Sequence, residues 1–246
     1  MPRAKRFFTA DLHIHSCLSA CAELDMTPKR IIRRALAEGL DIIAIADHNS
    51  CENLEAALGL ARETGISLLP AMEIASAEEV HVLALFDDPQ AAFGMQEKVY
   101  ASLPADLEND PAFWGEQVVV GEDDLVLGFN PRLLAGATGM PLEGLVSAIH
   151  DLGGLAIASH VDREAFSVIS QLGFIPDGVR FDALEVSRGR VPSCVEASGL
   201  PAVRSSDAHR LESVGKQRTR FLLEGASFSE IALALKSEDG RKAVID

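Results

Sequence analysis

Aromatic side chains are scarce in this sequence, with one tryptophan, one tyrosine and eleven phenylalanines in 246 residues. Basic residues are also short, 22 Lys and Arg against 37 Asp and Glu, for a net charge of −15 and a pI near 4.8. Such a field repels long polyanions, because nucleic-acid affinity comes largely from Lys and Arg neutralising phosphates. Duplex DNA is therefore not an expected partner. A small phosphorylated substrate or a short oligonucleotide is, since bound divalent cations can reverse the local potential. No uncharged apolar run reaches the roughly 18 residues of a membrane-spanning helix, so no membrane partner is expected. The basic N-terminus passes directly into Asp11-Leu-His-Ile-His15 without a long apolar segment or a cleavage signature, so secretion is not implied. Four cysteines, at 17, 21, 51 and 194, read as reduced thiols rather than a disulfide framework, which points to the cytoplasm. Dinucleotide, Walker-type and His-Glu-x-x-His motifs are all missing, which counts against nucleotide-driven and zincin-type mechanisms.

What is present is alternation. Short apolar runs trade places with helix-like stretches, the pattern of βα units around a parallel sheet. Phe7–Leu12, Asp41–Ala46, Ile66–Met72, Val80–Phe86, Leu155–Ser159, Ala183–Val186, Ala202–Arg204 and Arg220–Leu223 read as strands. Helices are expected after Thr27-Pro28, over Cys51–Glu63, over Leu142–Leu152 and near Phe228–Lys236. From about Asp87 to about Gly139 periodicity fades among four prolines and the acidic patch Glu122-Asp123-Asp124. That stretch reads as an insertion into a single barrel domain spanning 1–246, able to serve as a lid or as a surface for a homo-oligomer. Its Phe113 and Trp114 suit either base stacking or apolar packing.

In parallel α/β barrels the chemistry sits at the carboxyl ends of the strands. His13 and His15, Asp47-His48, Glu73, His160, and Asp207 with His209 each follow or end an apolar run here. His13 and His15 are two apart, so on an extended backbone their imidazoles share one side while Leu12 and Ile14 take the other. Of the pair Asp47-His48 only one residue can face a common centre. His48 is the expected metal ligand, with Asp47 orienting a neighbouring imidazole or capping the following helix. Glu73 has two oxygens with which to bridge cations. His81, in Glu78-Glu-Val-His-Val-Leu-Ala-Leu85, suits either a ligand or a buried neutral histidine. These positions take in six of the seven histidines, which coincidence explains poorly.

With Asp11-Leu-His-Ile-His-Ser16, Ala46-Asp-His-Asn49, Ala71-Met-Glu73, Ala158-Ser-His160 and Ser206-Asp-Ala-His209 in this order, the sequence resembles the polymerase and histidinol phosphatase (PHP) superfamily. The resemblance implies a distorted, TIM-like seven-stranded (β/α) barrel, two to three divalent metal ions (Zn, Mn or Fe) and phosphoester hydrolysis. It implies that His13, His15, Glu73 and Asp207 hold one cation, His48 and His209 a second, and Glu73, His81 and His160 a third. The family commonly places Asp or His in the first loop where this chain has Ala20 and Cys21. Cys21 can ligate as a thiolate, which favours zinc, or pack as a small hydrophobe; a carboxylate from Glu23 or Asp25 would suit manganese or iron.

The expected chemistry is hydrolysis of a small phosphomonoester, a nucleotide or a short oligonucleotide by a metal-bridging hydroxide, with no serine or cysteine nucleophile. Arg188, Arg163 and Arg210, near strand ends, suit the phosphate or surface ion pairs. Two other classes stay open: an amidohydrolase, which would be expected to present a metal-bridging lysine at a strand end, and a non-catalytic, metal-stabilised binding barrel.

Overall fold

The computed structural model describes residues 4–187, 189 and 191–245. The elements in chain order are β1 (Arg6–Ile14), α1 (Pro28–Ala37), β2 (Ile42–Ile45), α2 (Leu54–Arg62), β3 (Ser67–Ala75), β4 (His81–Leu85) and α3 (Pro89–Ser102). They continue with α4 (Pro111–Trp114), β5 (Val118–Val120), β6 (Val126–Phe129), α5 (Leu142–Asp151), β7 (Leu155–Ala158), α6 (Val168–Leu172) and β8 (Ala183–Glu185). The last are α7 (Ser193–Ser198), β9 (Ala202–Val203), β10 (Thr219–Leu223), α8 (Phe228–Leu235) and β11 (Lys242–Val244). Among the described residues no helix is long and apolar enough to cross a membrane.

The main sheet runs β11-β10-β1-β2-β3-β4-β7-β8-β9. It has nine strands rather than the expected seven, because β10 and β11 add antiparallel to the free side of β1. β1, β2 and β3 pair in parallel, as do β7, β8 and β9. Between these two groups β4 runs antiparallel to both neighbours. The two ends nearly meet. β11 approaches β9, and the Thr219 hydroxyl accepts from the Arg204 N–H at 2.7 Å while donating to its carbonyl at 2.8 Å. At the mouth a bridge between Ile14 and Ala208, with His15 N–H donating to Ala208 O at 2.9 Å, closes the rim.

Strand alternation divides the core in two. Phe8, Ala10, Leu12, Ile42, Ala44, Leu69, Ala71, Leu83, Leu85, Ile157, Ala183 and Val203 fill the barrel, whose floor α8 covers with Phe228, Ile231 and Leu235. Their neighbours Ile43, Ile45, Leu68, Met72, Ile74, Val82, Ala84 and Leu184 face outward onto the surrounding helices. Helix α1 shows why such helices form: Thr27 caps the Arg30 N–H, Pro28 supplies a preset first turn, and Ile31, Ile32 and Ala35 make one buried face.

The stretch 87–139 is more regular than its sequence. It opens with the fourteen-residue helix α3, capped by Asp88 and begun by Pro89, and only Ala92, Met95 and Val99 of that helix are buried. Three buried residues one turn apart leave too narrow a stripe for the period to stand out. The hairpin β5–β6 follows, with Val118 and Val120 packed on Cys17 of the first loop.

Candidate metal centre

The barrel's inward alternation continues above its apolar filling and turns polar at the mouth. On β3 the series Leu69, Ala71 ends at Glu73; on β4 the series Leu85, Leu83 ends at His81. Because β4 is reversed, its first residue lies where the parallel strands have their last, and His81 sits opposite Ala75 in register. After β2 the series Ile42, Ala44, Ala46 reaches His48, so Asp47 belongs to the other side. β1 reaches the same result by an irregular step. Its register with β2 shifts between Asp11 and Ile14, so Leu12 packs inside the barrel and Ile14 outside it. This corrects the expectation that Leu12 and Ile14 share a side: the bulge changes parity and re-aims His13 and His15 over the core.

Glu73, buried, stands at the middle. Its Oε1 lies 3.3 Å from His13 Nε2 and 3.2 Å from both His81 Nδ1 and His160 Nε2. Its Oε2 lies 3.1 Å from His48 Nδ1 and 3.5 Å from His15 Nε2. Despite this crowd, Glu73 Oε1 and His81 Nδ1 have no hydrogen-bond partner, and neither have the buried His160 Nδ1 and Asp207 Oδ1. Lone pairs gathered in one place without partners are costly. They fit cations: His13, His15 and Glu73, then His15, His48 and His209, then His48, Glu73 and His81 each bring donor atoms within 4.8 Å of one another.

The surroundings set the rings' tautomers. Glu185 accepts from His13 Nδ1–H at 3.0 Å, leaving Nε2 bare toward the centre. Asp47 accepts from Ser16 N–H at 2.7 Å and from the hydroxyls of Ser16 at 2.6 Å and Ser19 at 2.7 Å. With its proton so committed, Ser19 Oγ accepts from His15 Nδ1–H at 3.0 Å and from His48 N–H at 3.1 Å. Asp47 thus orients His15 through Ser19 and caps no helix. Glu185 and Ser19 were not among the expected site residues. The signal for Glu185 was the alternation Ala183, Leu184, Glu185; for Ser19, bonded from a loop, there was none.

Asp207 Oδ1 lies 2.9 Å from His15 Nε2, and its Oδ2 is paired with Arg163. Asp207 and His160 both adopt left-handed backbone, φ 47° and 33°, a conformation that costs of order 1–3 kcal/mol at a non-glycine residue. His209 Nδ1–H donates to Asp207 O at 2.9 Å. The thiol of Cys21 sits in the field of the His48 and His209 rings. Burial works against its ionisation, but those two rings outweigh it and bring the thiol down to about 6. Burial likewise opposes charge on Glu73, and His13 and His81 more than compensate, holding it well below the usual carboxylate range.

Arg163 reaches the mouth, donating from Nε to Ser187 Oγ at 3.0 Å beside its pair with Asp207. Arg210 does not join it: its Nε is 3.3 Å from Glu23 in an exposed ion pair. Asp25 is likewise paired with Arg30 at 3.1 Å. Arg188 lies outside the described residues.

A model of the PHP domain matches residues 11–128, and one of a PHP-associated segment matches residues 188–239. A 5'-3' exoribonuclease of Haemophilus influenzae is 27% identical over 143 residues, 57% of this chain and 47% of that protein. Among solved structures, the lesion-specific endonuclease Q of Pyrococcus furiosus superposes with a TM-score of 0.74 at 18% identity, over 97% of this chain and 58% of that one. A metal-dependent phosphoesterase described from Bifidobacterium adolescentis superposes at 0.54 with 22% identity, over 81% and 87%. The chain therefore spans about half the length of the exoribonuclease and of endonuclease Q.

Endonuclease Q also superposes, again at 0.74, in a complex with a 27-mer duplex carrying an abasic lesion. This overturns the exclusion of duplex DNA drawn from net charge. Charge summed over a whole chain does not set the potential at the mouth, where cations or a few arginines meet the phosphates. Residues 11–128 thus match the PHP domain and residues 188–239 the PHP-associated segment, on a barrel of the fold seen in endonuclease Q.

Proposed function

We propose that the chain is a metal-dependent phosphoester hydrolase acting on a small phosphomonoester, a nucleotide or a short oligonucleotide. The observation that carries this reading is Glu73 Oε1, buried without a hydrogen bond among imidazole nitrogens of His13, His81 and His160 at 3.2–3.3 Å. Such donors fit borderline divalent ions. His13, His15, Glu73 and Asp207 would hold one cation, His48 and His209 a second, and His81, His160 and Glu73 a third. Cations there would acidify a water molecule and neutralise phosphoryl charge.

The chain's own residues do the rest. Glu185 and Ser19 keep His13 and His15 in the tautomer whose Nε2 accepts. Arg163, held by Asp207 and Ser187 at the mouth, offers planar N–H donors suited to a phosphoryl group. The exoribonuclease relative supports the nucleotide end of the substrate range. Phosphoester rather than amide chemistry is supported by the inward strand-end positions 48, 73, 81, 160, 185 and 207, none of which is the lysine expected of an amidohydrolase.

Metal analysis and turnover assays test the reading, using phosphomonoesters, nucleoside bisphosphates, dinucleotides, single and duplex oligonucleotides, and carboxamides, each repeated after chelation. Phosphoester turnover that is lost with the metal and returns on its restoration is the expected result. Activity that survives chelation, or is confined to carboxamides, overturns the proposal.

A further inference from the structure

Resting on the phosphoester reading above, we infer that Phe166 is a stacking platform for the nucleobase next to the scissile phosphate, so that the substrate is a nucleotide or short oligonucleotide rather than a phosphate ester without a base.

One turn carries the parts. Between β7 and α6, His160, Arg163 and Phe166 follow one another at three-residue intervals. Arg163 N–H donates to His160 O at 2.9 Å, and the Ser167 hydroxyl donates to Arg163 O at 2.8 Å. Phe166 O accepts from His81 N–H at 2.9 Å, which fastens the turn to the start of β4. An imidazole of the centre, a guanidinium at the mouth and an aromatic ring are thereby set on a single hydrogen-bonded piece of backbone.

The Phe166 ring lies almost flat on His81, with centroids 4.7 Å apart and planes inclined by 13°. His81 Nδ1 is in turn 3.2 Å from Glu73 Oε1, so the phenyl ring stands one imidazole away from the central carboxylate. Even so, Phe166 is 44% exposed. His81 takes one face of the ring, and the exposure falls on the other face and the edge. Packing does not account for this placement. Phe166 has left-handed backbone, φ 57°, a strained conformation for a bulky side chain, and a ring this open recovers little of that strain through burial.

A flat apolar face beside a guanidinium suited to phosphate fits a nucleotide. Every base has a π-face, so stacking of this kind accepts any of them. In a chain of net charge −15, an uncharged contact also holds a nucleotide without the run of Lys and Arg that phosphate-backbone binding needs. Phe113 and Trp114, by contrast, meet each other edge to face, with centroids 4.8 Å apart.

Two readouts test the platform. In metal-loaded enzyme the ratio of kcat/KM for AMP over glycerol phosphate, and likewise for CMP, should fall about 5- to 150-fold in Phe166→Ala, and Phe166→Tyr should restore it. A side chain that only props His81 would slow all these esters together and leave the ratios where they were; that outcome overturns the inference and leaves the hydrolase reading intact. In Phe166→Trp, the uncleaved phosphonate analogue of AMP should quench the new indole's fluorescence, with wild type, whose single tryptophan is Trp114, as the blank. Quenching no greater than the blank, at concentrations of the analogue that inhibit AMP turnover, overturns the inference as well. If no phosphoester is turned over, the hydrolase reading fails, and the quenching alone decides whether the platform exists.

Discussion

Glu185 accepts the Nδ1–H of His13 at 3.0 Å, and by fixing that proton on the outer nitrogen it turns the inner one, 3.3 Å from Glu73 Oε1, into an acceptor. Two buried carboxylates thus hold one ring between them. Glu185→Gln keeps the shape but can present its amide instead of an acceptor. Metal retention or turnover should fall about 10- to 100-fold, the usual cost of losing such a support, with little change in circular dichroism. Unchanged metal content and rate would show that the ring does not depend on this bond.

Glu73 gathers donors whose lone pairs repel one another when nothing lies between them. Saturating zinc should therefore raise the melting temperature, by about 2.7 kcal/mol of added stability at a hundredfold excess over Kd. Glu73→Gln should abolish most of that rise. Differential scanning calorimetry with and without chelator measures it, and an equal rise in wild type and variant would place the stabilising ion elsewhere.

Thr219 joins the two ends of the sheet, its hydroxyl bonded to both the N–H and the C=O of Arg204. Thr219→Val retains the volume but removes both of these bonds at the part-buried seam, at about 1–3 kcal/mol for an unmatched group. Urea denaturation should show this as a lower midpoint at constant m-value. A midpoint equal to wild type would mean that solvent reaches the seam.

Glu230 receives Arg241 from two sides, Nε to Oε2 at 2.8 Å and Nη2 to Oε1 at 2.7 Å, and also the Glu224 N–H at 2.7 Å. The Arg241 hydrogen bond is the largest influence holding its carboxyl below the ordinary value. A depressed carboxylate contributes stability that is present above its unfolded pKa and disappears as pH falls through the folded one. Glu230→Gln should accordingly melt below wild type at neutral pH, and the gap should close in acid below the range where free Glu titrates. A gap independent of pH would assign the loss to packing.

Much of this was legible in the sequence because a barrel strand carries two messages on alternate residues. The run Leu69, Ala71, Glu73 states both what fills the barrel and what caps it, and the same holds for Ile42, Ala44, Ala46, His48. Reading failed where parity or direction changed. The irregular step between Asp11 and Ile14 has no marker in composition, so alternation alone puts Leu12 on the wrong face. β11 is only three residues long and its sole partner is β10, too little to stand out. Helix α3 hid because it buries a single row, although Asp88-Pro89 marked its start. Arg163 and Arg210 looked alike in sequence. Only the three-dimensional neighbourhood separates them, Asp207 and Ser187 for one and Glu23 for the other.

The reversal of β4 has a consequence for how the molecule can vary. A parallel strand would have delivered the chain to the mouth; β4 delivers it to the floor, and α3 must climb back. The chain then crosses the rim between Ser102 and Leu142, anchored there where Gly139 N–H donates to Ser102 O at 2.8 Å and Ala77 N–H to Met140 O at 2.8 Å, before α5 descends. This crossing is a cassette clipped at both ends. Loops of this crossing outside the β5–β6 hairpin, which packs on Cys17, can be lengthened, shortened or exchanged without moving a barrel strand, so what the mouth admits can change while the centre stays.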